Sequence, residues 1–174
     1  MEEQQQLSIS KTAVKYGVIF GIVGIAYNLL ANITQFSLDY QGINMTISTA
    51  IPIVLIIIAL REFRAQQGYL SFRQGFSLGM LTSLIYSLLV SLFSYIYMKF
   101  IDPGMMNLIK ERQVEEMEKR GYDEATIEQS MKTMEFMMSP ETMLFISVLG
   151  GVIMMAILSL IIAAIMKKDN PQMI

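Results

Sequence analysis

Amide side chains recur along one stretch of this sequence at a spacing that could line a path for a polar solute. Asn28, Asn32 and Gln35 are three or four residues apart, so in a helix they share one side. If this helix spans a membrane, the amides should point into the interior of the protein, because amides facing hydrocarbon are energetically costly. There they either line a lumen for a small solute or ion, or form hydrogen bonds with neighbouring helices. The sequence leaves both interpretations open.

Methionines form a second group of side chains with chemistry of their own. Met131, Met134, Met137 and Met138 have the spacing of a thioether set, and thioethers are ligands that Cu(I) prefers. The alternative is an amphipathic helix face that rests on a sister helix or on lipid, with Met as an adaptable filler. The chain has no His or Cys to complete a copper site. We therefore favour the packing face and expect neither a metal nor a cofactor.

Residues for enzyme catalysis are scarce in this chain. Without His it lacks the commonest general base, and without Cys it lacks a thiolate nucleophile and disulfide bonds. No acidic or basic residue lies inside the long apolar stretches, so none is available there to activate a serine. We predict that the protein is not an enzyme. Its formal net charge of −2 also gives no reason to expect a nucleic-acid partner.

The elements that carry these residues are long and apolar. Hydrophobic residues make up 53% of the chain and charged residues only 16%, against about 25% charged residues in an average soluble domain. Four charge-free stretches each reach the length of about 20 residues that a membrane-spanning helix needs. The sequence predicts an all-α, integral membrane four-helix bundle, a single membrane domain over residues 1–174. Its spans are predicted at about 13–37, 45–60, 72–98 and 141–166.

Residues 104–139 lie between the third and fourth spans and predict a helical hairpin outside the membrane. Gly121 suits the position just after the first helix, where a left-handed backbone is common. Asp123 can cap the second helix. Long polar loops are translocated largely regardless of their charge, so we expect this insert to be extracytoplasmic.

Basic residues in the short connections predict the orientation of the bundle. Lysine precedes the first span and follows the last one, and arginine is concentrated at 61–73, whereas the connection between the first two spans has no basic residue. Because cytoplasmic loops carry an excess of Lys and Arg, both termini are predicted to be cytoplasmic.

Small residues follow one face of the third span and one face of the first. Inside lipid, helices associate through close contact rather than through burial of apolar surface, so small residues mark their interfaces. Ser71 and Gln74 also form a capping box that predicts where the third span begins. We expect the partners to be membrane lipids, other membrane proteins or a second copy of the chain. The predicted helix-packing faces comprise Gly75, Gly79, Ser83, Ser87 and Ser91 in the third span and Gly17, Gly21 and Gly24 in the first.

Four segments together carry a resemblance to a known family. They are "KYGVIFGIVG" at the first span, "REFRAQQGYLSFRQGFSLGM" in the middle, "MEKRGYDEATIEQSMKTM" in the insert, and "SPETM" before the last span, which ends in "MKK". Over nearly its whole length the chain resembles a domain-of-unknown-function family of small four-span bacterial inner-membrane proteins. The most specific segment is "GYLSFRQGFSLG". The resemblance implies topology and location but no established activity, so it assigns no functional residue.

Two functions agree with these observations. The first is a non-enzymatic structural or accessory membrane component that packs with other helices. The alternative is a small-solute or ion transporter or channel subunit, with a polar lumen near Asn28, Asn32 and Gln35. A continuous cavity between the spans would favour transport, and a closed, dry bundle would favour the first function.

Overall fold

The computed structural model describes residues 8–137 and 139–168, which form an all-α helical bundle as the sequence predicts. Four of its helices are long and apolar enough to cross a membrane. In chain order the helices are α1 (Ile9–Ile33), α2 (Phe36–Asp39), α3 (Gln41–Gln67), α4 (Phe72–Ile96), α5 (Met105–Lys119), α6 (Glu124–Met137) and α7 (Pro140–Met166), and a π-helical segment, Tyr97–Ile101, continues α4.

Local hydrogen bonds determine where the long helices begin. The predicted capping box of α4 is confirmed, since the Gln74 N–H donates to Ser71 Oγ at 3.2 Å and the Ser71 N–H donates to Gln74 Oε1 at 3.0 Å. At the start of α7 the Thr142 N–H donates to Ser139 Oγ at 3.2 Å. These bonds satisfy backbone donors that have no partner within the helix itself.

The first two long helices differ in their boundaries from the predicted spans. α1 lies about one helical turn earlier than the predicted 13–37. It stops because Gln35 has a left-handed backbone, with φ of 56°, and the chain then turns into α2. α3 extends at both ends beyond the predicted 45–60, until Gly68 ends it with φ of 84°. Hydropathy detects only the apolar part of a helix, so the polar turns at its ends escape detection.

α4 is the central helix of the bundle. α1 and α7 both pack extensively along it and hardly touch each other. α3 fills the space between them in one half of the bundle, where Ile56, Leu60 and Phe63 are buried. In the other half the first turns of α3 are largely exposed. The bundle is therefore packed by four helices in one half and by three in the other.

One end of the bundle brings together the start of α1, the connection between α3 and α4, and the end of α7. Leu70 and Lys168 exchange two backbone hydrogen bonds of 3.0 and 2.8 Å. Lys15 of α1 forms an ion pair of 3.2 Å with Glu62 of α3. We call this the basic end because it carries Lys11, Lys15, Arg61, Arg64, Arg73, Lys167 and Lys168.

The opposite end, which we call the hairpin end, carries α2 and the helical hairpin of α5 and α6. The hairpin turn has the predicted form, since Gly121 has φ of 78° and the Tyr122 N–H donates to the Met117 carbonyl at 3.2 Å. The predicted cap of the second helix is also confirmed. The Thr126 N–H donates to Asp123 Oδ1 at 3.3 Å.

The outward faces of the four long helices are apolar. Ile22 of α1, Val54 of α3, Leu92 of α4 and Ile165 of α7 are 61%, 52%, 50% and 77% exposed. Soluble monomers rarely expose a continuous apolar surface of this extent. Such a surface suits contact with lipid, in agreement with the charge-free stretches of the sequence.

Candidate functional site

A cleft of about 330 Å³ opens at the hairpin end, in the half of the bundle that α3 leaves unfilled. α4 supplies its floor, α1 and α7 supply its walls, and α2 and α5 cover it. We call it the hairpin-end cleft. Its polar lining consists of Asn28, Asn32, Ser37, Ser91, Ser94, Tyr95 and Ser147. Its apolar lining consists of Leu38, Met98, Met105, Ile109, Met143 and Leu144.

Helical spacing and one irregularity bring this lining together. Asn28 and Asn32 are four residues apart, so both face the cleft from α1. α4 continues into the π-helical segment, where the Asp102 N–H reaches back to the Tyr97 carbonyl at 2.8 Å. π-helical turns are rare and occur frequently at functional sites. Here the segment leads the chain out of α4 and toward α5, which covers the cleft.

Two of the three predicted lumen residues border the cleft, and the third does not. Asn28 Nδ2 donates to the Gly24 carbonyl at 3.0 Å. Asn32 Oδ1 accepts a hydrogen bond of 3.1 Å from Ser37 Oγ of α2. Gln35 follows α1, in the left-handed turn before α2, and its side chain is exposed. The amide face predicted from the sequence therefore ends where α1 ends.

Several polar groups in the cleft remain available for a ligand. Within the described part of the chain, no hydrogen bond uses the side-chain Oδ1 of Asn28 or the side-chain Nδ2 of Asn32. The Tyr95 hydroxyl is already engaged, because it accepts a hydrogen bond of 2.8 Å from Lys99 Nζ and is also directed to the Glu141 carboxylate. Ser91 is only 6% exposed and lines the same space. The cleft thus offers both donors and acceptors.

A packed layer closes the bundle between the cleft and the basic end. Phe20 of α1 and Ala59 of α3 are 4% and 0% exposed, and Tyr86 of α4 packs against them. Ile56 and Leu78 are buried in the neighbouring core, at 1% and 0% exposure. A smaller cavity of about 150 Å³ lies beyond this layer, at the basic end. The hairpin-end cleft therefore ends inside the bundle.

Charged residues surround the cleft without lining it. Arg112 of α5 forms an ion pair of 3.1 Å with Asp39 at the end of α2. Lys99 pairs with Glu141 at the start of α7. The first pair joins the two parts of the cover, and the second joins the end of the floor to the α7 wall.

The predicted small-residue faces lie in two interfaces of α4. Gly75 and Gly79 face α7, where a Cβ built on each would lie 3.1 Å from Ala163 Cβ and 2.8 Å from Ser159 Oγ. Ser87 approaches Gly151 on the same side. The α1 glycines instead face large side chains of α4. Those pairs are Gly17 with Ile85, Gly21 with Leu89, and Gly24 with Tyr86 and Val90.

The predicted thioether set lies on α6, away from the cleft. Met131 and Met134 are half-buried, and Met137 is 49% exposed. Met138 lies outside the described residues. Met134 borders a shallow groove along α6 whose other lining groups are hydroxyls and an amide. The choice between a copper site and a packing face stays a prediction.

Comparison with known proteins identifies the family. The model of the family described as "Protein of unknown function (DUF4199)" matches residues 15–168. The chain belongs to this family. No curated protein and no solved structure matches the chain. Function in this DUF4199 protein must therefore be argued from its own residues.

More than half of the residues that line the cleft are not among those predicted from the sequence. Ser94, Met98, Met105 and Met143 line it, and none of them stands out from the apolar stretches in which it lies. Only Ser94 could have been inferred from the pattern, because it follows Ser91 by three residues and extends the small polar face of α4. The hairpin cover could not be found this way, because nothing in the local pattern of α5 specifies which helices it meets.

Proposed function

We propose that this DUF4199 protein is a multi-pass protein of the bacterial inner membrane that acts without enzymatic activity, as a structural or accessory component packing with other helices. Its apolar outward faces support contact with lipid and with further membrane helices. The lack of His and Cys supports a role without catalysis.

The observation that carries this proposal is the packed layer that includes Phe20 and Ala59. A transport path needs a route from one end of the bundle to the other, and this layer fills the space between the spans. Among the described residues no acidic or basic side chain is buried, although coupled transport usually places ionisable groups in the membrane. Both features support a protein that works through its surfaces.

The proposal can be tested by photo-crosslinking in native membranes. A photoreactive residue at Ile22, Ile58, Leu88 or Ile157 samples the outward face of each long helix, because these side chains are 43–61% exposed. The buried Ile162, 7% exposed, is the matched control. We expect at least one outward position to crosslink reproducibly to a membrane protein that mass spectrometry identifies, or to a second copy, and Ile162 to crosslink only within the chain. Lipid adducts alone at all four positions would contradict the proposal.

The orientation is part of the same proposal. The basic residues of the short connections and of both ends of the chain lie at the basic end, whereas the six at the hairpin end belong to a long loop, which is translocated largely regardless of charge. This distribution supports a cytoplasmic location for both termini. Because the chain has no Cys, single cysteines can report the side on which a residue lies. Gln66→Cys at the basic end and Gln129→Cys in α6 should react with an impermeant thiol reagent from opposite sides of the membrane. Labelling of both from the same side would overturn this orientation.

Transport is the second candidate, and one observation favours it. Asn28 and Asn32 line a cleft together with hydroxyl groups, as a polar lumen would require. Vesicles containing the purified protein distinguish the two functions through the flux of small uncharged solutes such as glycerol. We expect the flux to equal that of empty vesicles. A higher flux that is lost in the double variant Asn28→Leu, Asn32→Leu would favour transport.

A further inference from the structure

We infer that the hairpin-end cleft binds the uncharged head of a single-tailed membrane amphiphile, with the apolar tail leaving between α1 and α7. This inference does not depend on the proposed function, because a bound amphiphile is compatible with either an accessory or a transport role. It rests on the charge, the hydrogen-bonding groups, the size and the position of the cleft.

The charge of the lining selects an uncharged head. No Lys, Arg, Asp or Glu is among the described residues that line the cleft. Asp39, Lys99 and Lys110 each follow a lining residue directly along the chain, and they pair with Arg112, Glu141 and Glu135. A phosphate or an ammonium group placed in the cleft would lose its hydration without gaining an opposite charge, and this is unfavourable.

The hydrogen-bonding groups fit a head with both hydroxyl and carbonyl groups. The side-chain Nδ2 of Asn32 and the hydroxyl of Ser91 can donate, and the side-chain Oδ1 of Asn28 can accept. They come from α1 and α4, so they approach a bound head from different directions. The two asparagines are half-buried, and a head that covers them and leaves them unpaired would be disfavoured.

The size and the apolar lining fit a small head attached to a hydrocarbon tail. A volume of about 330 Å³ is near the lower limit of ligand pockets. Three methionines, Met98, Met105 and Met143, line the cleft, and this side chain adapts to irregular apolar ligands. A cleft of this volume holds a small head but not its tail, which must leave through the gap between α1 and α7.

The position of the cleft provides a route for the tail. α1 and α7 hardly touch, and α3 does not fill the gap between them at the hairpin end. On α7, Ser147 lines the cleft and is itself exposed, and the adjacent Ile146 and Phe145 are exposed apolar residues. The Arg112–Asp39 pair joins α2 and α5, which together cover the end of the cleft. A ligand therefore enters from the side, through the gap between α1 and α7.

The test uses the full-length protein in nanodiscs and a photoactivatable monoacylglycerol as the probe. Two matched variants of α4 separate the cleft from the lipid-facing surface. Ser94→Trp fills the cleft, whereas Leu92→Trp adds the same ring at a position that is 50% exposed on the outward side. Asn32→Leu removes a hydrogen-bonding group without adding bulk. A thermal unfolding curve checks that each variant folds.

We expect saturable labelling of peptides from α1 and α4 that line the cleft. It should fall by about tenfold in Ser94→Trp and in Asn32→Leu and stay unchanged in Leu92→Trp. Unlabelled monoacylglycerol should compete, and phosphatidylglycerol should not. A long-chain isoprenoid quinone also has an uncharged head and a single tail. If it competes more strongly than monoacylglycerol, the inference holds and the ligand is identified as a quinone. If Ser94→Trp does not fold, the Asn32→Leu result decides.

Two results would overturn the inference. The first is labelling spread over outward residues such as Leu88 and equal in all folded variants, which would indicate bulk lipid contact. The second is equal competition by phosphatidylglycerol, which would show that the cleft does not select an uncharged head.

Discussion

The two interfaces of α4 both contain small residues, but they use them differently. Toward α7, small residues lie on both helices, as in the approach of Gly75 to Ala163 and of Gly79 to Ser159. Toward α1, only one side is small, and Gly17 receives the branched side chain of Ile85. In the first interface small side chains of both helices pack against each other. In the second, the α1 glycines form a groove for large side chains of α4, and the Thr82 carbonyl also lies 3.1 Å from a Cβ built on Gly17.

This difference shows that a glycine in a membrane helix cannot be interpreted without its partner. The effect of adding a side chain depends on how rigid the opposing atoms are, because packed interiors accommodate extra volume poorly. The interfaces can therefore be compared by substitutions that add bulk at one glycine at a time.

The largest effect is expected when bulk is forced into the α4–α7 interface. Gly79→Leu places a large side chain where even a Cβ would lie 2.8 Å from Ser159 Oγ and 3.0 Å from Ser159 Cβ. We expect a loss of about 3 kcal/mol or more in the free energy of unfolding, or a failure to fold. Leu88→Ala, at a side chain that is 47% exposed, should have little effect. Thermal unfolding in detergent measures both, and equal stability of the two variants would show that this interface is not closely packed.

The next largest effect distinguishes a rigid neighbour from a flexible one in the α1–α4 interface. Gly17→Ala meets Ile85 Cβ at 2.7 Å, and a β-branched side chain in a helix has little freedom to move. Gly21→Ala meets Leu89 Cδ1 at 2.5 Å, which is the far end of a side chain that can rotate. We expect Gly17→Ala to cost about 1–3 kcal/mol and Gly21→Ala clearly less.

The control for this pair is Gly42→Ala at the start of α3, where a new Cβ meets no atom within 4 Å. It should be neutral or slightly stabilising, because alanine favours a helix more than glycine does. Unfolding curves for the three variants should follow this order. A larger loss for Gly21→Ala than for Gly17→Ala would contradict the role assigned to side-chain rigidity.

A smaller effect is expected from two adjacent glycines in α7. A Cβ on Gly151 would lie 3.3 Å from Ser87 Cβ, whereas a Cβ on Gly150 would meet open space. Gly151→Ala should therefore cost up to about 1 kcal/mol, and Gly150→Ala should be neutral or stabilising. The two variants have the same composition, so a difference in their unfolding midpoints reports only the direction in which each position faces.

The smallest effect is expected in the hairpin of α5 and α6. Polar groups stabilise the hairpin, whereas packing stabilises the α4 interfaces. Hydrogen bonds from the Thr126 side chain and N–H lower the pKa of the Asp123 carboxyl below its usual value. The cap therefore contributes fully above the usual pKa of aspartate and is lost as pH falls through the lowered value. As the pH falls through this acidic range, the hydrogen-exchange rate of the Thr126 amide should rise relative to the rates of amides that no carboxylate caps.

Asp123→Asn is the control for the cap, because asparagine also caps helices but does not titrate there. In that variant the acid-dependent change at Thr126 should disappear. The Gly–Ala and Gly–Ser contacts of α4 contain no titratable group and should not respond to the same change in pH. Persistence of the change in Asp123→Asn would assign it to another carboxylate, such as Glu115, whose pKa is lowered by a hydrogen bond from Lys119.

Elements specified by nearby residues could be predicted from the sequence, and those specified by distant ones could not. The capping box at Ser71, the turn at Gly121 and the cap at Asp123 involve residues within a few positions of each other, and all three are confirmed. The end of α1 was predicted too late, because the polar residues around Gln35 continue a helical spacing that the backbone does not follow.

By itself the sequence determined that the chain forms four long apolar helices with a helical hairpin before the last one, since length, hydropathy and capping are local properties. It also indicated which faces are small. Only the tertiary structure decided that the small face of α4 meets α7, that the α1 glycines receive Ile85 and Leu89, and that α3 leaves a cleft at the hairpin end. The physical reason is that periodicity defines a helix face but not its partner. The partner depends on how all the helices fill space at the same time.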